Sequence, residues 1–173
     1  MRKSATILTI LTLSLALFSC GQKAGEPAAP PDSGAAVKTE SSAPADAAYD
    51  CQYFGLSLAS GWEASPEKFG MVNVLPKGQV SPGLYFKFEG AGNALGTAEA
   101  SIESMIRNYG GSPMESTTIA GVEFKTTTYT YQNMTQTMHV AFRSGTKVTI
   151  TIEGVGAKDN PDIKSMLATF AVK

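Results

Sequence analysis

The chain has 173 residues, of which 43% are hydrophobic, and its 14 Lys and Arg side chains nearly balance its 15 Asp and Glu side chains, for a formal net charge of −1 at pH 7. This balance excludes the basic surface with which proteins bind nucleic acid, so no nucleic-acid partner is expected. A single histidine and two cysteines exclude metal sites built from several histidines, and we expect no metal and no cofactor.

The first 19 residues have the three-part pattern of a secretion signal. A basic pair precedes an apolar and hydroxyl-bearing run over residues 5–18. This run is shorter than the roughly 20 residues of a membrane-spanning helix. Ser19 and Cys20 follow it and resemble the lipobox of bacterial lipoproteins. The resemblance implies cleavage before Cys20, which becomes the diacylated and usually triacylated first residue of the mature chain, with palmitate-type chains. An ordinary signal peptide with an incidental Cys20 is the alternative.

Residues 20–48 are expected to form the lipidated cysteine and a disordered tether. They are rich in Ala, Pro, Ser and Gly and contain no aromatic residue, so they cannot bury a core. Gly21, rather than Asp, follows the cysteine. In enterobacteria-like sorting this favours the outer membrane, with the domain facing the periplasm. The partner implied by this segment is therefore the membrane, bound through the N-terminal lipid.

Residues 49–173 have the size of one globular domain. Alternating apolar residues predict three strands in its first part: Phe54, Leu56 and Leu58; Val72 and Val74; Leu84, Phe86 and Phe88. The spacing then predicts a helix over Ala98–Tyr109, with Thr97 as its N-cap and a terminating glycine pair at 110–111. A second helix is expected after Asn160 or Asp159, with Ile163, Met166, Leu167 and Phe170 buried.

Between these helices, residues 114–155 predict a four-strand antiparallel meander. A tight Ala120–Gly121 turn joins its first two strands. A three-residue loop centred on Asn133 would place Phe124 opposite Phe142, and a loop centred on Gly145 would continue the same register. In that register one face is apolar and the other is polar, so we expect both helices to cover the apolar face only.

The predicted fold class is therefore α+β, with an antiparallel sheet, a C-terminal four-strand meander and two packed helices. The order of elements resembles the PsbP-like α/β/α family and, within it, the DcrB-type bacterial lipoproteins. The resemblance rests on the segment 54–58 with Gly61–Trp62, the helix over 98–109, the turn at 119–121 and the terminal segment 166–170. These are structural positions, so the resemblance implies a fold and transfers no functional residue.

Few residues of the sequence are candidates for catalysis or ligand binding. In the predicted register His139 is a solvent-facing residue of the polar face, with a ligand or proton-transfer role as the alternative. The segment 55–59 departs from the G-x-S-x-G pattern of hydrolases because it ends in alanine and no helix follows. Cys51 is either a small apolar residue of the first strand or an exposed thiol. No catalytic residue is expected.

A tract from Thr126 to Met138 contains no charged residue. In the predicted register Tyr129 and Tyr131 project together from the polar face and form, with His139, a possible binding surface. Exposed tyrosines are favoured contact residues for a glycan or an extended peptide. The alternative is that Thr and Tyr occur here only because they favour strands.

The sequence favours a membrane-anchored envelope lipoprotein that is not an enzyme and that binds or helps to assemble an envelope protein partner of unknown identity. The alternative is a periplasmic lipoprotein that binds a small ligand or glycan on the polar face or beneath Trp62.

Overall fold

The computed structural model describes residues 47–90, 92 and 96–173. In chain order the strands are β1 (Ala47–Asp50), β2 (Phe54–Leu58), β3 (Trp62–Ala64), β4 (Met71–Pro76), β5 (Gly83–Glu89), β6 (Glu115–Ile119), β7 (Val122–Tyr131), β8 (Met134–Arg143), β9 (Thr146–Glu153) and β10 (Ala171–Val172). The helices are α1 (Ala98–Tyr109) and α2 (Pro161–Ala168), and a 3₁₀ turn over Ala157–Asp159 precedes α2. The predicted signal peptide, Cys20 and the tether up to residue 46 lie outside the described residues.

The strands form two sheets. The larger has the order β3-β4-β5-β9-β8-β7-β6, and the smaller has the order β1-β2-β10. Every pairing of the described strands is antiparallel. The predicted α+β class, the antiparallel sheet and its C-terminal meander, which is β6 to β9, are therefore confirmed.

The main core lies between one face of the larger sheet, here called the core face, and a layer formed by the smaller sheet and α2. Phe54 of β2 stacks on Phe86 of β5 with ring centroids 4.5 Å apart, and Phe170, which follows α2, stacks on the same ring. Trp62 is buried, and its indole N–H donates to a carboxylate oxygen of Asp162 at 3.0 Å. The alternating residues predicted for β2, β4 and β5 are all buried, as a period of two requires.

Helix α1 begins and ends, and α2 begins, where local signals predict, but α2 ends at Ala168, so Phe170 is buried beyond the helix rather than within it. The Thr97 hydroxyl accepts the Ala100 backbone N–H at the start of α1, and Gly110 ends that helix in a left-handed conformation. At α2 the Asn160 side chain accepts two backbone N–H groups, and Pro161 occupies the first turn.

The helices lie on opposite faces of the larger sheet. α1 packs over β7 and β8 on the face away from the main core, here called the helix face. The prediction that only one face needs cover was therefore wrong. Ile102 of α1 is fully buried, and Thr127 and Tyr129 of β7 are buried although they belong to the predicted polar face.

The meander turns are shorter than predicted. The β7–β8 hairpin turns through two residues, Gln132 and Asn133, both of which have positive φ. Two-residue turns with positive φ match the twist of the flanking strands. The β8–β9 hairpin likewise turns through Ser144–Gly145. The predicted Ala120–Gly121 turn between β6 and β7 is confirmed.

This difference of one residue turns β8 over and leaves β7 and β9 facing as predicted. Thr126 pairs with His139 and Lys125 with Val140, a register that places Phe124 opposite Ala141 rather than Phe142. Phe142, predicted to be core, is 38% exposed. His139, predicted to face solvent, lies on the core face and is only 8% exposed. The predicted register was therefore wrong for this strand.

The domain begins slightly earlier than composition predicts. β1 starts at Ala47, which pairs with Leu58, so the strand includes two residues assigned to the tether. Strand β1 was not predicted because its two alanines do not favour a strand. Strands β3 and β10 are too short to show an alternation of apolar and polar residues. Cys51 lies in the β1–β2 connection, where it is half-buried and packs against the edge of the core. Its burial is therefore intermediate between the two predicted alternatives, a small apolar strand residue and an exposed thiol.

Candidate functional site

The core face of the meander carries a polar cluster centred on His139. Its ring lies nearly perpendicular to that of Phe124, with centroids 6.4 Å apart, and its strand neighbours are Thr126 on β7 and Ile150 on β9. Both ring nitrogens are buried, and neither has a hydrogen-bond partner among residues 47–90, 92 and 96–173. Most buried polar groups in proteins are paired, so this imidazole is unusual.

Burial also determines the charge of His139. Removal from water penalises the imidazolium form and lowers the pKa of His139 from 6.5 to about 4. The ring is therefore neutral at pH 7, with one nitrogen as a donor and the other as an acceptor.

A cavity of about 260 Å³ lies beside His139. It is bounded by all four strands of the meander and by residues of the 3₁₀ turn and α2. Its polar wall consists of the imidazole, threonine side chains and Ser112, with the exposed Glu115 and Lys158 also in the lining, and its apolar wall is formed by Ile119, Ile152 and Leu167. We call this the His139 cavity.

The threonines of the His139 cavity are partly engaged with one another. The hydroxyl oxygens of Thr128 and Thr137 lie 3.0 Å apart, and the Thr126 hydroxyl donates to the Met138 carbonyl oxygen at 2.9 Å. A hydroxyl that donates one bond keeps acceptor capacity, so this wall can still receive hydrogen bonds from a bound molecule.

The helix face carries a second feature, an exposed group of Tyr109, Tyr131 and Met134 at the tip of the β7–β8 hairpin, which we call the tyrosine patch. The Tyr109 ring meets the Tyr131 ring edge-on at 5.3 Å and stacks on Tyr129 at 5.6 Å. Met134 is the strand partner of Tyr131. Residues from α1 and from both strands of the hairpin thus present one apolar and aromatic surface.

A ladder of side chains on the helix face holds this patch in position. The Tyr129 hydroxyl donates to the Gln136 side-chain oxygen at 2.7 Å, and the Gln136 amide donates to Glu153 at 2.6 Å. The Glu153 carboxylate also accepts from the Tyr85 hydroxyl at 3.3 Å. Desolvation and the nearby Glu153 charge raise the pKa of Tyr85, which keeps it protonated as a donor.

The predicted binding surface is not one surface. Tyr131 is exposed on the helix face, Tyr129 is only 7% exposed behind it, and His139 lies on the opposite face of the sheet. Sequence reasoning missed Tyr109 and Met134. Tyr109 is the last residue of the predicted helix over 98–109, and its meeting with Tyr131 and Met134 depends on the packing of α1 against the sheet.

Three further findings concern a crevice at Trp62, a metal site and a membrane helix. Trp62, beneath which a ligand crevice was considered, is held by its bond to Asp162 within the fold. Within residues 47–90, 92 and 96–173, no three His, Cys, Asp or Glu side chains are grouped to hold a metal ion. No helix in that part of the chain is long and apolar enough to cross a membrane.

No family model and no curated protein sequence matches the chain. Solved structures do resemble it. A protein from Bacteroides thetaiotaomicron is 9% identical with a TM-score of 0.47, over 69% of this chain and 45% of that one, so this chain spans less than half the length of that protein.

Two other solved structures match over most of their own length. LpqN of Mycobacterium tuberculosis, described as involved in cell envelope biogenesis, is 9% identical with a TM-score of 0.45, over 69% of this chain and 83% of its own. Cyanobacterial PsbP (CyanoP) of Synechocystis is 13% identical with a TM-score of 0.49, over 75% of this chain and 93% of its own. The similar structures thus include a PsbP protein, the family that the sequence resembles.

Proposed function

We propose that the protein is a lipid-anchored, non-catalytic module of the bacterial cell envelope, and that it docks an envelope protein through the tyrosine patch. The anchor is inferred from the secretion signal and Cys20, and the composition of the following segment favours a tether that lets the domain reach a partner. Gly21 favours the outer membrane, with the domain facing the periplasm.

The observation that carries this proposal is the construction of the tyrosine patch. Tyrosine is enriched at interface hot spots because it buries a large ring at a small cost in conformational entropy. Here Tyr109 and Tyr131 contact each other, and the Tyr129 ladder supports them from behind. A patch ordered before binding loses less entropy when a partner docks.

The surroundings of the patch favour a protein partner. The tract from Thr126 to Met138 carries no charge, so a partner pays no cost for desolvating ionised groups there. The exposed apolar Met134 beside Tyr131 adds adaptable, polarisable contact area, which is typical of protein-binding surfaces. A glycan would use the rings but gain little from the thioether.

The non-catalytic assignment is supported by the state of the one histidine. His139 has no hydrogen-bonded nucleophile or carboxylate in the described part of the chain, so it lacks the partners through which an imidazole acts as a general base.

Crosslinking in intact cells tests the docking. A photoreactive phenylalanine analogue at position 131 should crosslink to one envelope protein, and Tyr109→Ser should reduce the yield severalfold because it removes the neighbouring ring. Phe69→Ser is the matched control, since Phe69 is an exposed aromatic residue on the β3–β4 connection. Equal yields in the Tyr109 and Phe69 variants, or capture of glycan without protein, would contradict the proposal.

Replacing Cys20 tests the anchor separately. Cys20→Ala should block lipid attachment because it removes the residue that carries the acyl chains, so labelled palmitate should be incorporated into the natural protein and not into the variant. Intact-mass analysis of the native protein should show a mature chain that starts at acylated Cys20. An unmodified N-terminus at any other residue would overturn the anchor and leave the tyrosine patch untouched.

A further inference from the structure

We propose that the His139 cavity binds a small, uncharged, polyhydroxylated molecule of about monosaccharide size. The cavity lies on the core face of the meander, whereas the tyrosine patch lies on the helix face. The two sites are therefore on opposite sides of the sheet, and this proposal does not depend on the docking of a protein partner.

The first argument is the unsatisfied imidazole. His139 forms part of the cavity wall, yet neither ring nitrogen has a partner. A buried polar group without a hydrogen bond costs free energy, so a ligand that supplies the bond recovers it. The ring is nearly symmetric in shape, and a half-turn about χ2 exchanges each nitrogen with a carbon. Both nitrogens are inaccessible in the present ring orientation, so a bound ligand would meet a nitrogen after this half-turn, which requires no movement of the backbone.

The second argument is the neutrality of the wall. The polar groups inside are the neutral imidazole and threonine hydroxyls. The charged residues of the lining are one of each sign, Glu115 and Lys158, both exposed, and Lys158 lies 3.7 Å from Asp159. An ionised ligand would lose hydration without gaining a buried counter-charge, whereas an uncharged ligand avoids that cost.

The third argument is the division of the cavity into two kinds of wall. Hydroxyls of Thr128 and Thr137 face the cavity from adjacent strands, while Ile152 and Leu167 supply apolar surface. A sugar ring has hydroxyls at its edge and an apolar C–H face, so it matches both. At about 260 Å³ the cavity lies below the roughly 300–1,000 Å³ of drug-sized sites, which sets the ligand at about one ring.

Because His139 is the one histidine of the sequence, binding of a sugar can be followed directly by the NMR signals of its ring. The natural chain contains one His, so tag-free protein has a single imidazole whose nitrogen resonances report its tautomer and hydrogen bonding. The probes are glucose, galactose and N-acetylglucosamine, each at about 10 mM, which saturates a millimolar site. Glucuronate and glucosamine serve as charged counterparts. At least one neutral sugar should shift the His139 signals saturably, and its charged counterparts should bind at least several times more weakly.

Variants locate the binding. Thr137→Val should weaken the affinity about tenfold, the effect of one lost hydrogen bond. Thr137→Ser, which keeps the hydroxyl, should retain it. Thr149→Val is the matched control, because Thr149 is buried to the same degree as Thr137, 9% against 8% exposed, but lies on the helix face.

Three results would overturn the proposal. They are the absence of a His139 shift with every neutral sugar, tighter binding of a charged counterpart, and equal weakening by Thr137→Val and Thr149→Val. Loss of crosslinking in the Tyr109 variant with sugar binding intact would leave it standing, so its failure is distinguishable from failure of the docking proposal.

Discussion

Acidification from pH 6.5 to pH 4 should lower the free energy of unfolding by about 3 kcal/mol through His139 alone. The unfolded chain takes up a proton near the ordinary pKa of 6.5, whereas the folded chain does so only near about 4. Between these values the unfolded state binds more protons, so stability is complete above pH 6.5 and falls as the pH drops through this window. The ring is only 8% exposed, so solvent screens the effect little.

Urea unfolding at several pH values between 7 and 4 measures this loss. His139→Gln, which does not titrate, separates the histidine from carboxylates that also protonate in acid. The pH dependence of the wild-type protein minus that of the variant should show the loss of about 3 kcal/mol. The charged residues of the cavity wall, Glu115 and Lys158, are exposed and present in both proteins, so they cancel. Superimposable pH profiles would show that His139 is accessible to protons in the folded state.

The elements predicted correctly are those that local residues determine. The Thr97 hydroxyl and Gly110 are sufficient to set the ends of α1, because capping is a contact within one helical turn. The Ala120–Gly121 turn was predicted correctly because its glycine readily adopts positive φ. Strands β2, β4 and β5 each bury one alternating set of apolar residues, which a period of two reveals directly.

Alternation could not orient strand β8 because both of its faces are covered. Val140 is fully buried on the helix face and Ala141 is buried on the core face. Alternation identifies the core face of a strand only when the other face meets water. The β7–β8 turn gave no further information, because Gln132–Asn133 lacks the glycine that marks a two-residue hairpin. The Ser144–Gly145 turn does contain that glycine, and a two-residue reading of it gives the observed orientation of β8 relative to β9.

The candidate sites depended on that orientation. The inversion of β8 moves His139 from solvent into the core layer and creates the cavity wall, and the same register places Met134 beside Tyr131. Tyr109 reaches the patch from a separate helix. Sequence reasoning identified the uncharged tract and its tyrosines, but the packing of a helix and three strands decided which side chains meet.

The two phenylalanines of the β7–β8 pair provide the sharpest test of the register. Phe124→Ala should cost about 3–5 kcal/mol, because Phe124 is fully buried in the main core and its removal leaves a cavity. Phe142→Ala should cost about 1 kcal/mol, the typical effect of a partly exposed site. In the register predicted from sequence the two residues pair and would cost about the same.

Equilibrium unfolding in urea at pH 7 compares the two variants, and a third variant strengthens the test. The double change Tyr129→Ser and Tyr131→Ser should cost more than Phe142→Ala, because it removes the buried Tyr129 ring and its bond to Gln136. The register predicted from sequence gives the opposite order. Equal losses for Phe124→Ala and Phe142→Ala, with a small loss for the tyrosine pair, would place Phe142 in the core and return His139 to solvent. The acid sensitivity and the cavity both depend on the burial of His139, so that result would remove the structural basis of each.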